Sequence, residues 1–187
     1  EFRAPLRAGQ AISRESRIED VKLKEGRAGP LVFVKVRHEI SAERQLAITE
    51  EQDIVYREMP QPGAAAPAGT AAPDDAAWTR RVEPDPVLLF RYSALTLNGH
   101  RIHYDLQHAE EEGYPGLLVH GPLQGSLLFN IASALGGSPP KTFDYRGLSP
   151  LIAGDPFRVL AAQDGEKVRC WTEDSSGVTC MEGEAAW

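Results

Sequence analysis

Four of the five histidines, His100, His103, His108 and His120, fall within a stretch of 21 residues. Clustered imidazoles suit metal binding or proton transfer near neutral pH. Metal binding is disfavoured, because no carboxylate or thiol completes a plausible ligand set and no Cys/His spacing resembles a zinc site. Proton transfer needs a base aimed into a cleft and a group that orients the reacting water. Asn98 and His103 have those types, and they bracket the turn Asn98-Gly99-His100-Arg101-Ile102-His103 on a stretch read as non-helical. An imidazole supplies the base, while a carboxamide can hold water by donating or accepting. The plain alternative is a hydrogen bond within a loop, and His108 is expected on the exposed side of a short helix. Spacing leaves both readings open. At Gly121-Pro122 a helix start would leave backbone N–H groups unpaired, with partial positive charge. An isolated Gly-Pro reads equally well as an ordinary helix start.

The elements that must position these residues follow from pattern and punctuation. Asp105 caps a brief helix over 106–112, which Gly113 stops. A longer helix runs over 121–135, with Pro122 in its first turn and Gly136-Gly137 then Pro139-Pro140 ending it. Its apolar residues go most of the way round, so it should be buried. Strands are expected at 142–148, 157–162, 167–172 and 178–187, the last three separated by turns at Asp164-Gly165 and Ser176-Gly177. Residues 87–90 read as a short apolar lead into 91–95.

The N-terminal region, 1–57, reads as strand after strand, at 11–23, 31–36 and 45–55, with no helical period. A sheet without a second layer cannot bury its apolar face. Either the rest of the protein covers it, or a segment preceding Glu1 does. Residues 58–86 change composition to a Pro/Ala/Gly-rich linker, with Trp78 anchoring its far end on a domain surface. The region 87–187 then forms a second, richer domain.

Composition narrows the partners. Hydrophobic residues make up 42% and charged ones 25%, ordinary values for a soluble globular chain. A formal net charge of -7 argues against nucleic acid, which needs a basic face. A few local arginines can still hold an anionic ligand. No apolar run approaches the roughly 18–20 residues that cross a bilayer, and no secretory signal pattern is present, so a cytoplasmic location is the expectation. Cys170 and Cys180 flank the turn Asp174-Ser175-Ser176-Gly177 and are expected as reduced core thiols rather than a disulfide.

The run Tyr92-Ser93-Ala94-Leu95-Thr96-Leu97-Asn98-Gly99-His100-Arg101-Ile102-His103-Tyr104-Asp105 resembles the hydratase motif of MaoC-type enoyl-thioester hydratases. That motif is a Ser-Gly-Asp-x-Asn-Pro-Ile-His run a few residues after a Tyr. The later Gly113-Tyr114-Pro115-Gly116-Leu117-Leu118-Val119-His120-Gly121-Pro122-Leu123 is similar to the family's His-Gly approach to its central helix. Together they resemble the double-hot-dog subgroup of mesaconyl-C4-CoA (3-methylfumaryl-CoA) and itaconyl-CoA hydratases and the fungal type 2 hydroxyacyl-thioester dehydratases. The implied fold is α+β: an antiparallel sheet wrapped around a central helix, twice over, the first unit incomplete. One departure is clear. The family's usual catalytic Asp falls on Asn98, and its Asn-Pro pair on His100-Arg101.

The resemblance implies syn hydration across an α,β-unsaturated acyl-thioester, or its reverse. His103 would move the proton, Asn98 would place the water, and the Gly121 N–H would hold the enolate oxygen. Arg101 or Arg146 would grip a substrate carboxylate, though either could equally bind a coenzyme A phosphate or form a structural ion pair. Arg91 is a further candidate, and Tyr92 and His120 complete the implied substrate-binding set. No cofactor is implied beyond the coenzyme A of the substrate, and a homodimer is the implied assembly. Rival readings are an acyl-carrier-protein dehydratase of fatty acid synthesis, a hot-dog thioesterase, and a non-catalytic acyl-CoA-binding subunit.

Overall fold

The computed structural model describes residues 1–26, 29–57 and 69–187. Two compact units divide between Ala64 and Ala65.

The first unit is an antiparallel meander of β1 (Ile12–Gly26), β2 (Gly29–Ala42) and β3 (Gln45–Arg57). Glu43 and Arg44, at φ 50° and 69°, make the two-residue turn between β2 and β3, a conformation whose twist matches the flanking strands. The register sorts side chains by face. Ile18, Val21 and Leu23 stand opposite Val36, Val34 and Val32, which in turn oppose Gln52, Ile54 and Tyr56. On the other face Lys35 pairs with Glu51 at 3.3 Å, and Arg37 with Glu39 at 3.2 Å and Glu51 at 3.4 Å. Among its described residues this unit contains no helix.

The second unit is a five-stranded antiparallel sheet in the order β4-β6-β7-β8-β5. Its strands are β4 (Trp78–Val82), β5 (Thr142–Gly147), β6 (Phe157–Asp164), β7 (Lys167–Glu173) and β8 (Thr179–Ala186). Helix α3 (Gly121–Gly136) packs on it through Leu128, Ile131 and Ala132, which meet Phe157, Val159, Val168, Cys170 and Met181 in one buried cluster. Each large side chain so buried contributes about 1.5–3 kcal/mol. A helix wrapped by an antiparallel sheet is the hot-dog arrangement expected above. Both cysteines are free and buried. Burial pushes the Cys170 thiol up to about 12.

Two expectations need correction. The stretch read as linker through residue 86 contains an edge strand: Trp78–Val82 pairs with Val82 opposite Phe157 and Trp78 opposite Ala161. The residues before it also dock, with Ala72 N donating to Gly177 O at 2.9 Å and Thr179 N to Thr70 O at 2.9 Å. Ala72 and Ala76 pack against Leu160 and Trp171 on the sheet face away from α3. Gly69 lies so close to Val178 that an added Cβ would clash with its Cγ1. The part of the expected linker at 58–68 lies outside the described residues. Secondly, the apolar lead at 87–90 belongs to helix α1 (Pro86–Thr96), begun by Asp85, whose Oδ1 accepts from Leu88 N at 2.7 Å.

Candidate active site

Three short elements of the second unit carry the candidate residues. Helix α1 ends at Leu97, which takes a left-handed conformation (φ 56°, ψ 28°) unusual for a branched side chain. That cap turns the chain sharply, and Asn98 N donates back to Ser93 O at 2.9 Å. Asn98 Oδ1 then accepts from His100 N at 3.0 Å, closing an Asx-type turn. Arg101–His103 form one 3-10 turn rather than the non-helical stretch expected, followed by α2 (Leu106–Glu111) capped by Asp105.

His103 is buried, at 7% exposure, and its Nδ1 lies 2.8 Å from the Leu118 carbonyl oxygen. A carbonyl only accepts, so the proton of the neutral ring sits on Nδ1 and Nε2 presents a lone pair. Desolvation by burial holds the His103 pKa below the ordinary histidine value, against the Leu118 bond, which raises it, while nearby His100 lowers it further. The ring is therefore neutral at neutral pH, as a base must be.

His120 precedes α3 and is fully buried. Its ring stacks on His103 with centroids 3.7 Å apart, and its Nε2 lies 2.9 Å from Ser93 Oγ. Burial first, and the neighbouring His103 second, bring its pKa down to about 4. Gly121 opens α3, and among the described residues its N–H has no protein acceptor. A Cβ there would meet Met181 Cε at an ordinary 3.7 Å, so the close approach of a ligand is not enforced by crowding.

Asn98, His103 and the α3 start are thus joined by contacts running Asn98–Ser93–His120–His103. A hollow of about 320 Å³ adjoins them, the low end of ligand-pocket size. Phe90, Ala94 and Leu97 give its apolar wall, and Ser93, Asn98 and Tyr104 its polar one. His103 and Gly121 do not line it.

The remaining candidates fall elsewhere. Arg101 is bonded to Asp105 at 2.7 Å, which raises its pKa and lowers that of Asp105. Arg146 lies on β5, where its Nε donates to Glu182 at 2.8 Å. Both arginines thus form an ion pair with a carboxylate of this chain. Arg91 is exposed on α1 and forms no ion pair among the described residues. Tyr92 packs its ring against His120 at 4.8 Å. His120, expected to bind substrate, is walled off from solvent at 0% exposure. His108 is half-buried beside Glu111 and Glu112, at 3.8 and 3.9 Å. Sequence reasoning missed Ser93, a residue of the quoted motif whose partner stands 27 positions away. Among the described residues no three His, Cys, Asp or Glu side chains gather as a metal set, and no helix is long and apolar enough to cross a membrane.

Residues 1–153 match the family model described as hydroxyacyl-thioester dehydratase type 2. The mesaconyl-C(4)-CoA hydratase of Chloroflexus aurantiacus is 48% identical over 184 residues, 96% of this chain and 65% of that protein. The mitochondrial hydroxyacyl-thioester dehydratase type 2 of Schizosaccharomyces pombe is 28% identical over 137 residues, 71% of this chain and 45% of that one. The chain thus spans about two thirds of one curated relative's length and under half of the other's. A MaoC-like dehydratase from Phytophthora capsici superposes with TM-score 0.78 at 15% identity, covering 100% of this chain and 66% of that one. A double-hotdog-fold protein of Mycobacterium tuberculosis gives 0.58 at 15% identity, covering 99% and 72%. These solved structures show the hot-dog fold, complete in the second unit and without a helix among the described residues of the first.

Proposed function

The chain belongs to the hydroxyacyl-thioester dehydratase type 2 family, and from that premise we propose that it reversibly hydrates an α,β-unsaturated acyl-thioester. The substrate we infer is a short branched dicarboxylic acyl-CoA of the mesaconyl-C4-CoA or itaconyl-CoA kind, the first being what the 48% identical relative is named for. The observation that carries this reading is the His103 bond to Leu118 O, which leaves Nε2 unprotonated in a dry setting.

In this reading His103 Nε2 takes a proton from water and the oxygen adds to the β-carbon. The electron pair of the C=C bond moves through the α-carbon onto the thioester oxygen, which the Gly121 N–H holds as the enolate forms. Return of the proton to the α-carbon completes hydration, and dehydration reverses each step. Asn98 places the water. Its Oδ1 already accepts from His100 N, so the Nδ2–H group and the second Oδ1 lone pair are the parts left for that task. Of the three arginines considered, Arg91 alone lacks a carboxylate partner among the described residues, which favours it for a substrate carboxylate or a coenzyme A phosphate. A homodimer and a reducing, cytoplasmic setting belong to the same reading, the latter supported by two free thiols.

Mesaconyl-C4-CoA, itaconyl-CoA and crotonyl-CoA form the test panel, followed by absorbance of the conjugated thioester and by a thiol-reactive dye. Hydration lowers the absorbance while the dye stays silent, with the dicarboxylic substrates turning over fastest. Released thiol would assign a thioesterase instead. No reaction with any of them, nor with a crotonyl-loaded acyl carrier protein, would leave only a binding role.

A further inference from the structure

Two kinds of contact hold the His103 ring. In its plane Nδ1 donates to the Leu118 carbonyl at 2.8 Å, and against its face lies the His120 ring, 3.7 Å away and inclined by 19°. The first contact sets the tautomer. The second sets the tilt, which a three-residue turn has little means of fixing by itself.

His120 is in turn anchored. Its Nε2 is within 2.9 Å of Ser93 Oγ, while its Nδ1 is buried without a partner among the described residues. A buried N–H with no acceptor is rarer and costlier than a buried lone pair with no donor. The His120 proton therefore sits on Nε2 and is donated to Ser93 Oγ. This assignment speaks against Ser93 as a nucleophile, since its neighbour holds a proton where an activating base would offer a lone pair.

We propose that Ser93 and His120 act as a positioning pair for the base at His103: Ser93 pins the His120 ring, and that ring fixes the tilt of His103 and keeps water from one of its faces. The pair ties the catalytic turn to α1, which carries Ser93, and to α3, which His120 begins. A base referenced to two helices is held more closely than one on a loop alone. This rests on the reading of His103 as the base.

The groups around His103 accord with it. His100, on the same turn, meets the ring edge-on at 5.8 Å. From the start of α3 comes His120, which is neutral above about 4. Tyr92 from α1 lies against His120, Arg101 is bonded to Asp105, and on α2 His108 sits by Glu111 and Glu112. His103 itself forms no ion pair with a carboxylate among the described residues. Burial is the largest influence on its titration, the stacked ring covers one face of the imidazole, and loosening the stack should let its pKa rise.

The test replaces Ser93 and follows both turnover and the His103 ring by nitrogen-detected NMR. Ser93→Ala should lower kcat about ten-fold with KM within about two-fold, the signature of a misplaced group rather than lost binding. The acid limb of kcat/KM and the His103 titration should both move to higher pH. Ser93→Thr, which keeps the hydroxyl, should restore most of kcat. His120→Phe keeps a ring but cannot bond Ser93, and should show the same split. Unchanged kcat, acid limb and His103 signals in Ser93→Ala and His120→Phe would overturn the proposal, as would a raised KM with kcat intact. Should the parent protein hydrate no thioester, the functional reading falls, while the ring signals still decide the positioning pair.

Discussion

In the sheet β1–β3, Ile18, Val21 and Leu23 keep 64%, 60% and 68% of their surface, whereas in β6–β8 Val159, Val168 and Cys180 keep 1%, 0% and 1%. Strand chemistry does not explain the contrast, since β-branched residues serve both sheets. The covering layer does: α3 lies across β6, β7 and β8, and no helix occurs among the described residues of the first unit. An apolar strand face becomes a core only when something apolar is laid on it. The candidate chemistry resides in the covered unit. Burial in a filled core lowers an imidazole pKa and so favours the neutral ring with a lone pair to offer.

Several substitutions would break or sharpen that contrast. The largest effect is expected at the dry base: His103→Ala should lower hydration by about 10²–10⁴-fold and, because the buried ring and its bond to Leu118 O are lost, lower the urea midpoint as well. Undiminished turnover would remove His103 from the mechanism. Next come paired truncations of the two sheets. Leu128→Ala in α3 should cost about 2–5 kcal/mol, and Val21→Ala on the exposed face less than about 1 kcal/mol. Equal costs in urea denaturation would mean that the first sheet is covered in solution.

The third test concerns pH. Folding lowers the His120 pKa from 6.5 to about 4, so the unfolded chain takes up a proton first as pH falls. Stability is then fully present above about 6.5, is lost progressively between there and about 4, and totals about 3 kcal/mol for this group. His120→Phe should flatten that slope relative to the parent, and parallel profiles would deny His120 its buried neutral state. The smallest effect is expected at Leu97, a branched side chain at φ 56° with 91% exposure. Leu97→Asn, which tolerates that conformation, should raise stability by at most about 1 kcal/mol. A loss of stability would show that the leucine side chain contributes packing its exposure does not suggest.

What could be read beforehand follows the same division between local and distant causes. Helix α3 and strands β5–β8 were legible because their punctuation is local: Pro122, Gly136-Gly137, Asp164-Gly165 and Ser176-Gly177. Helix α1 escaped because 87–90 is apolar without a period, although Asp85-Pro86 is a helix-start signal in its own right. Strand β4 escaped because Trp-Thr-Arg-Arg-Val is short, mostly polar and pairs on one side only, with β6. His103, Asn98 and Gly121 stood out by type and motif. The fates of Arg146 and Ser93 could not be read, since their partners lie 36 and 27 positions away and are set by register and packing.

The acceptor that decides where the His103 proton sits is a main-chain atom, the Leu118 oxygen, in a segment stitched to its surroundings by Leu118 N to Ile102 O, Val119 N to Leu151 O and Ala153 N to Leu117 O. Every residue type carries that oxygen. Exchange of Leu118 for another aliphatic residue therefore leaves the tautomer untouched, and mutational drift at this position is silent with respect to the base. The chemistry is insulated from its own genetic spelling at the point where it depends on an acceptor most, and an aliphatic exchange at Leu118 would not report on the base.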